Sequence, residues 1–297
     1  MNLTLQHLLE EGTEKLSKAG VEEASLDSRY LLFEAFRTDM VHFLIDRNRG
    51  LPDEEFSLEA VSKYRAMIEK RSRRIPLQQI TGSREFMGLE FFVNEHVLIP
   101  RQDTETLVEL VLKDYKGKQP EVLDLCTGSG CIAVSLAKLG GFDHVTAVDI
   151  SREALKVAER NVGELLGEGK ITLIESDLFT SIEEQKKFDV IVSNPPYIPT
   201  KIIEGLQPEV RDHEPMLALD GKEDGLYFYR KLALESRPHL APGGAVYFEI
   251  GYDQGEAVSG LLKDAGFGEI QVVKDAAGLD RVVCSRMHSG GYQCLID

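Results

Sequence analysis

The run Asn194-Pro195-Pro196-Tyr197 closes an apolar stretch, Asp189-Val190-Ile191-Val192-Ser193, and its residues suit one kind of chemistry. Neither proline carries a backbone N–H, so the tip of this strand is rich in acceptors and poor in donors. The Asn194 side-chain oxygen and the Pro195 carbonyl suit the two hydrogens of a planar NH2 group, and the Tyr197 ring suits its flat face. Such a nitrogen is a poor nucleophile because its lone pair is delocalised. Holding both N–H bonds orients it and raises its electron density, and proximity to an electrophilic methyl carbon does the rest. No side-chain base is needed before transfer, because the nitrogen becomes acidic only as it gains the methyl group. An aromatic ring and acceptor oxygens also suit a sulfonium cation. The plain alternative is a proline-rich strand exit with a core tyrosine.

A second group of residues precedes it in the chain. Val122 to Cys126 reads as a strand, Thr127-Gly128-Ser129-Gly130 as a tight turn and the residues after it as a helix. This order brings backbone N–H groups and a helix N-terminus against a bound nucleotide. Asp149 stands nineteen positions after Gly130, at the end of the next strand, where a carboxylate accepts from both ribose hydroxyls. Asp177 ends the third strand and suits an adenine amino group, with Leu178 packing on the ring. Gly128-x-Gly130-x-x-Ala133 also fits a dehydrogenase fingerprint, so the turn alone leaves NAD and S-adenosylmethionine open. Asn194 decides between them. In a doubly wound sheet the fourth strand lies beside the first, which brings Asn194 out next to Gly128 and favours methyl transfer to a planar nitrogen.

The elements that must position these residues follow from periodicity. The 297 residues predict one large domain or two unequal ones. From Leu3 to about Arg74, apolar residues recur at spacings of three and four, which predicts a helical bundle over residues 1–77. Strand formers and turn residues over 78–100 predict a β-hairpin linker. Over 101–287, apolar strands alternate with helical patterns: Val122 to Cys126, Val145 to Ile150, Ile171 to Glu175, Val190 to Ser193, Ala245 to Ile250, Ile270 to Val273 and Val282 to Ser285. That alternation predicts a doubly wound α/β domain of seven strands, the last two an antiparallel pair at one edge. Residues 288–297 are expected to form a mobile tail.

Composition excludes several classes. With 42% hydrophobic and 28% charged residues the chain is neither disordered nor fibrous. No apolar run reaches the roughly 18 residues of a membrane span, and Met1 to Glu10 lacks a signal-peptide pattern, so the cytoplasm is expected and a membrane is not. A net charge of -16 argues against a nucleic-acid substrate, whose binding rests on basic residues. The one basic cluster, Lys70-Arg71-Ser72-Arg73-Arg74, ends a helix, where the dipole or solvent accounts for it. The four cysteines form no C-x-x-C pair and lack zinc spacing to histidine, so reduced thiols and no metal are expected. Ser129 lies in Gly-Ser-Gly, not in a nucleophile elbow, and none of the seven histidines sits in a recognisable partner motif. A non-catalytic nucleotide-binding protein would be expected to lack the glycines or Asn194; both are present.

The glycine turn, Asp149 and Asn194-Pro195-Pro196-Tyr197 together resemble the class I S-adenosylmethionine-dependent methyltransferases that modify planar nitrogens. Three further segments narrow the resemblance to the HemK-type release factor glutamine methyltransferases. They are Gly82-x-x-Glu85-Phe86-x-Gly88, Leu98-Ile99-Pro100-Arg101-Gln102-Asp103-Thr104-Glu105, and Glu214-Pro215 followed by Ala218-Leu219 and Gly221-x-x-Asp224-Gly225-Leu226. The resemblance covers nearly the whole chain. It implies a helical substrate-recognition domain, a hairpin linker and a methyltransferase domain, with S-adenosyl-L-methionine as donor and S-adenosyl-L-homocysteine as product. It implies as substrate the glutamine of the Gly-Gly-Gln (GGQ) loop of class I peptide chain release factors. Asn194 and Pro195 would bind the amide, with Pro196 beside them, Tyr197 against it and Phe86 closing the pocket. Cys126, Thr127, Gly128, Ser129, Gly130, Asp149, Asp177, Leu178 and Asn194 would contact the cofactor. Gln102 stands where the family usually has proline, and Leu178 where it often has a larger aromatic. An N6-adenine methyltransferase acting on DNA or RNA is the alternative within the class.

Overall fold

Leucines and aromatics at helical spacing wind the first part of the chain into helices Leu5–Lys18, Ala24–Phe36, Met40–Asp46, Glu55–Ser72 and Leu77–Thr81. The structure is a computed structural model and describes residues 3–52 and 55–287; the expected tail, 288–297, lies outside the described residues. Thr4 and Asp39 cap two of these helices, accepting from the backbone N–H of His7 at 3.1 Å and His42 at 2.9 Å. Leu8, Leu16, Leu31 and Leu32 form the core with Tyr64, whose hydroxyl donates to the Leu8 carbonyl at 2.9 Å. Gly12 permits this crossing, because a Cβ there would stand 2.0 Å from the Tyr64 hydroxyl.

This unit runs to Ser83 and also takes in Gln207–His213; the second comprises Arg84–Leu206 and the chain from Glu214 onward. The basic cluster explains the inserted piece. Arg71, buried, pairs with Asp27 at 2.7 Å and with Glu209 at 2.8 Å, and Arg74 reaches Glu209 at 2.6 Å. Arg73 pairs with Glu69 at 2.9 Å. Three of its charges thus have carboxylate partners, where the sequence alone assigned them to the helix dipole or to solvent.

At the start of the second unit, β1 (Ser83–Phe86), whose first residue still belongs to the first unit, and β2 (Leu89–Phe92) form a hairpin. Its two-residue turn, Met87-Gly88, has both residues at positive φ, matching the twist of the flanking strands. Seven strands follow: β3 (Glu121–Leu125), β4 (His144–Asp149), β5 (Thr172–Glu175), β6 (Phe188–Ser193), β7 (Leu240–Glu249), β8 (Gly268–Lys274) and β9 (Asp280–Arg286). They lie in the order β5-β4-β3-β6-β7-β9-β8. β3 to β7 are parallel, and β9 is antiparallel to both β7 and β8, so the expected antiparallel pair occupies that edge with β9 on its inner side.

Alternate residues of the central strands enter opposite cores, as a strand's period of two requires. Val122, Val190 and Val192 face one core with helices Glu105–Asp114 and Cys131–Gly140; Leu123, Leu125 and Ile191 face the other with Tyr227–His239 and Gly255–Asp264. The chain runs outward through β3, β4 and β5 and returns to β6 on the other side of β3. At this reversal a crevice opens beyond the carboxyl ends of the strands.

Candidate active site

Strand register aligns the tips. Leu125 pairs with Val148 and with Ser193, and Asp149 with Glu175, so the residues following β3, β4, β5 and β6 emerge on one rim. They line a cavity of about 270 Å³. Cys126 to Ser129 come to it from β3, Asp149 from β4, Asp177 and Leu178 from beyond β5, and Asn194 and Pro196 from β6. Gly130, Pro195 and Tyr197 adjoin these residues in the chain without lining the cavity.

The turn after β3 is held from β4. Cys126, Gly128 and Gly130 all have positive φ, and the Thr127 N–H donates to the Val148 carbonyl at 3.0 Å. The Gly128 N–H donates to Asp149 Oδ2 and the Ser151 N–H to Asp149 Oδ1, each at 2.8 Å. Each Asp149 oxygen thereby keeps acceptor capacity for a further donor. Gly130 permits close packing, since a Cβ there would meet the Ala158 Cβ at 3.2 Å. From the same helix, buried Asn161 donates to the Ser129 carbonyl at 2.8 Å and exchanges hydrogen bonds with the Phe92 backbone at 2.7 and 3.0 Å. The hairpin and the glycine turn thus share one anchor.

Beneath the turn, Asp124 is wholly buried and accepts from the Thr127 hydroxyl at 2.6 Å. Burial pushes its carboxyl up to about 7 against that hydrogen bond. The folded protein therefore holds a proton here that the unfolded chain releases near its ordinary value of 3.8. Stability contributed at this position is present in acid and lost as pH rises from about 4 to about 7. Melting curves should show the Tm difference between Asp124→Asn and wild type shifting in the variant's favour from about pH 5 to about pH 8; a constant difference would contradict the titration.

Asn194 Nδ2 lies 3.4 Å from Thr104 Oγ1. The Tyr197 carbonyl accepts from Gln254 Nε2 at 3.1 Å, its ring packs on the second core, and desolvation drives its hydroxyl well above the ordinary range, so the phenol stays neutral. Asp177 has Lys231 Nζ at 3.1 and 3.2 Å from its two oxygens, and Leu178, 4% exposed, sits at positive φ.

Phe86 is not brought to the cavity. It is 1% exposed and packs edge-on against Phe91 with ring centroids 6.1 Å apart. Burial of such a ring contributes about 2 to 3 kcal/mol, which favours the core over the rim for Phe86. Residues that reasoning from the motifs left without a role also belong here. Thr104, Phe228 and Tyr227 line the cavity, and buried Glu249 ends β7. Glu249 had a signal: an acidic residue closing a buried apolar strand needs a reason. Among the described residues no helix is long and apolar enough to cross a membrane, and no group of three metal-binding side chains stands together.

Residues 7–82 match the PrmC N-terminal domain and residues 101–205 the Methyltransferase small domain. A release factor glutamine methyltransferase of Geobacter sulfurreducens is 42% identical over 284 residues, covering 96% of this chain and 97% of its own. Another, of Clostridium botulinum, is 37% identical over 288 residues, covering 96% and 100%. A methyltransferase from Pyrococcus furiosus shares the fold, with a TM-score of 0.53 at 19% identity over 74% of this chain and 98% of that one. Fold and rim together are those of a class I, Rossmann-like methyltransferase, and the family and fold imply S-adenosylmethionine as the donor. The chain belongs to the release factor glutamine methyltransferase family.

Proposed function

We propose that this protein methylates the side-chain amide nitrogen, N5, of the glutamine in the Gly-Gly-Gln loop of class I peptide chain release factors, in the cytoplasm. The observation that carries this reading is the presence of Asn194 on the same cavity as Gly128 and Asp149. An acceptor for a planar NH2 group and a nucleotide cradle then serve one reaction.

The cradle fits S-adenosylmethionine. Asp149 keeps spare acceptor capacity on both oxygens for ribose hydroxyls, and a Cβ on Gly128 would meet nothing within 4 Å, leaving room for a close approach. Cys126, Thr127, Ser129 and Gly130 shape the turn; Asp177, shared with Lys231, and Leu178 lie where the adenine is expected. When bound, the cofactor supplies an electrophilic methyl group and leaves as S-adenosyl-L-homocysteine.

The chain's own part is to position and exclude. Asn194 Oδ1 and the Pro195 carbonyl each accept one amide N–H, which aims the nitrogen lone pair and strengthens as positive charge develops on nitrogen. Pro196 keeps a competing donor away. Tyr197, neutral, its carbonyl held by Gln254 and its ring packed on the second core, supports this strand tip from behind. The nitrogen loses its proton to water after it gains the methyl group, so no side-chain base acts first.

Purified protein, labelled S-adenosylmethionine and either a release factor or duplex DNA test the reading. Label on the Gly-Gly-Gln glutamine supports it; label on adenine alone overturns it.

A further inference from the structure

Gln254 stands at the N-cap of helix Gly255–Asp264, yet its side chain makes no capping hydrogen bond. Glutamine is not among the residues that favour that position, and this one is 8% exposed, so another demand holds it there. The side chain turns back from its helix towards the strand tips. Its Oε1 accepts from the Gly251 N–H at 2.9 Å, just beyond β7. Its Nε2 donates to the Tyr197 carbonyl at 3.1 Å and to the Gly225 carbonyl at 3.4 Å. One carboxamide thus joins the chain leaving β6, the chain leaving β7 and the loop that ends at Gly225. Its orientation is fixed, because a backbone N–H only donates and the two carbonyls only accept. Added Cβ atoms would stand 2.7 Å from Nε2 at Gly225 and 3.0 Å from Oε1 at Gly251, so glycine at both places lets the backbone close on this side chain.

The tip Asn194-Pro195-Pro196-Tyr197 needs such a grip. Two consecutive prolines have no N–H through which the backbone could be held, so the tip is fixed from its ends. On the near side β6 pairs with β3, and the Ser193 hydroxyl donates to the Leu125 carbonyl at 2.8 Å. On the far side the Ile198 N–H donates to the Leu219 carbonyl at 3.0 Å, and the Ile198 carbonyl accepts from the Gly221 N–H at 2.9 Å. Gln254 holds the carbonyl between them, that of Tyr197. The proline rings stiffen the span, so a shift at Tyr197 is passed on to the Pro195 carbonyl and Asn194 instead of being absorbed.

We propose that Gln254 is a positioning residue for methyl transfer: by gripping the Tyr197 carbonyl together with Gly225 and Gly251, it sets where the Asn194 side chain and the Pro195 carbonyl stand. This rests on the reading that those two groups hold the substrate amide. Gln254 itself does not line the cavity, so its effect falls on the tip and not on cofactor affinity.

The test uses the full chain, labelled S-adenosylmethionine and a release factor. Gln254→Met keeps the length and bulk of the side chain and removes the hydrogen bonds it makes. Its kcat should fall about 10- to 100-fold, since misplacing a reacting pair by about 1 Å costs on that order. Calorimetric affinity for S-adenosylhomocysteine should stay within about twofold of wild type. Gln254→Glu keeps an acceptor for the Gly251 N–H but, when ionised, has no donor for the two carbonyls, so it should show a similar loss at about pH 9. Combined with Asn194→Ala, Gln254→Met should cost less than the product of the two separate losses, because both act on one contact. Wild-type kcat in Gln254→Met would show that only bulk is needed, and a loss of S-adenosylhomocysteine affinity as large as the loss of kcat would show a collapsed cavity; either overturns the inference, as do fully multiplicative losses in the double variant. Should Gln254→Met fail to fold, wild-type kcat in Gln254→Glu overturns it instead. Asn194→Ala separates the two levels: at wild-type rate it removes the amide-binding reading itself, whereas an inactive Asn194→Ala beside a fully active Gln254→Met removes only the positioning role.

Discussion

Asn194→Ala should lower turnover by about 10²-fold or more, the loss seen when one preorganised partner of the developing charge is removed. The expected effect falls on kcat, because the Asn194 oxygen contributes most once the amide nitrogen is becoming cationic and its hydrogens are becoming better donors. Folding should change little. Asn194 is partly exposed, lines the cavity and, among the described residues, has one side-chain hydrogen bond, at 3.4 Å to Thr104, so its loss to alanine opens onto the cavity. Steady-state kinetics with a release factor, alongside calorimetric binding of S-adenosylhomocysteine, separate the reacting step from cofactor affinity. A variant that turns over normally would show that Asn194 does not hold the reacting amide.

The second large effect is expected away from any reacting atom. At Gly225 an added Cβ would stand 2.3 Å from the Tyr197 carbonyl oxygen and 2.7 Å from Gln254 Nε2, and φ is +75°. It would wedge apart the 3.1 Å hydrogen bond that holds the backbone of Tyr197. Gly225→Ala should therefore cost about 2 to 4 kcal/mol, combining left-handed strain with a backbone clash, and should reduce methyl transfer beyond what the lost stability explains. Gly243→Ala is the control: its φ is +79°, but an added Cβ meets nothing within 4 Å, so only the strain of about 1 kcal/mol remains. Urea unfolding and transfer rates for both variants check this. Equal behaviour would mean that the Tyr197 backbone tolerates displacement.

Much of this was legible in the chain because parallel strands and glycine turns are local signals. Each expected strand of the seven-stranded sheet has its counterpart, since buried strands read as continuous apolar runs. Asn194 was expected beside Gly128 from strand order alone, and the pairing of Leu125 with Ser193 accounts for it. What the sequence hid depends on long-range pairing. Phe86 carries the same letters whether it faces a core or a cavity, and only its packing on Phe91 distinguishes them. Asn161 has no motif around it to mark it, yet it is wholly buried and joins the hairpin to the glycine turn.

The segment Gln207–His213 has a consequence for how such a protein is taken apart. A helical module that borrows Glu209 from deep within the following domain's sequence is not a contiguous cassette. Severed after Ser83, it would leave buried Arg71 with Asp27 alone and Arg74 without its Glu209 carboxylate. Exchange of this helical module between relatives, in the laboratory or in descent, must therefore carry two pieces of chain together, and the second is only seven residues long.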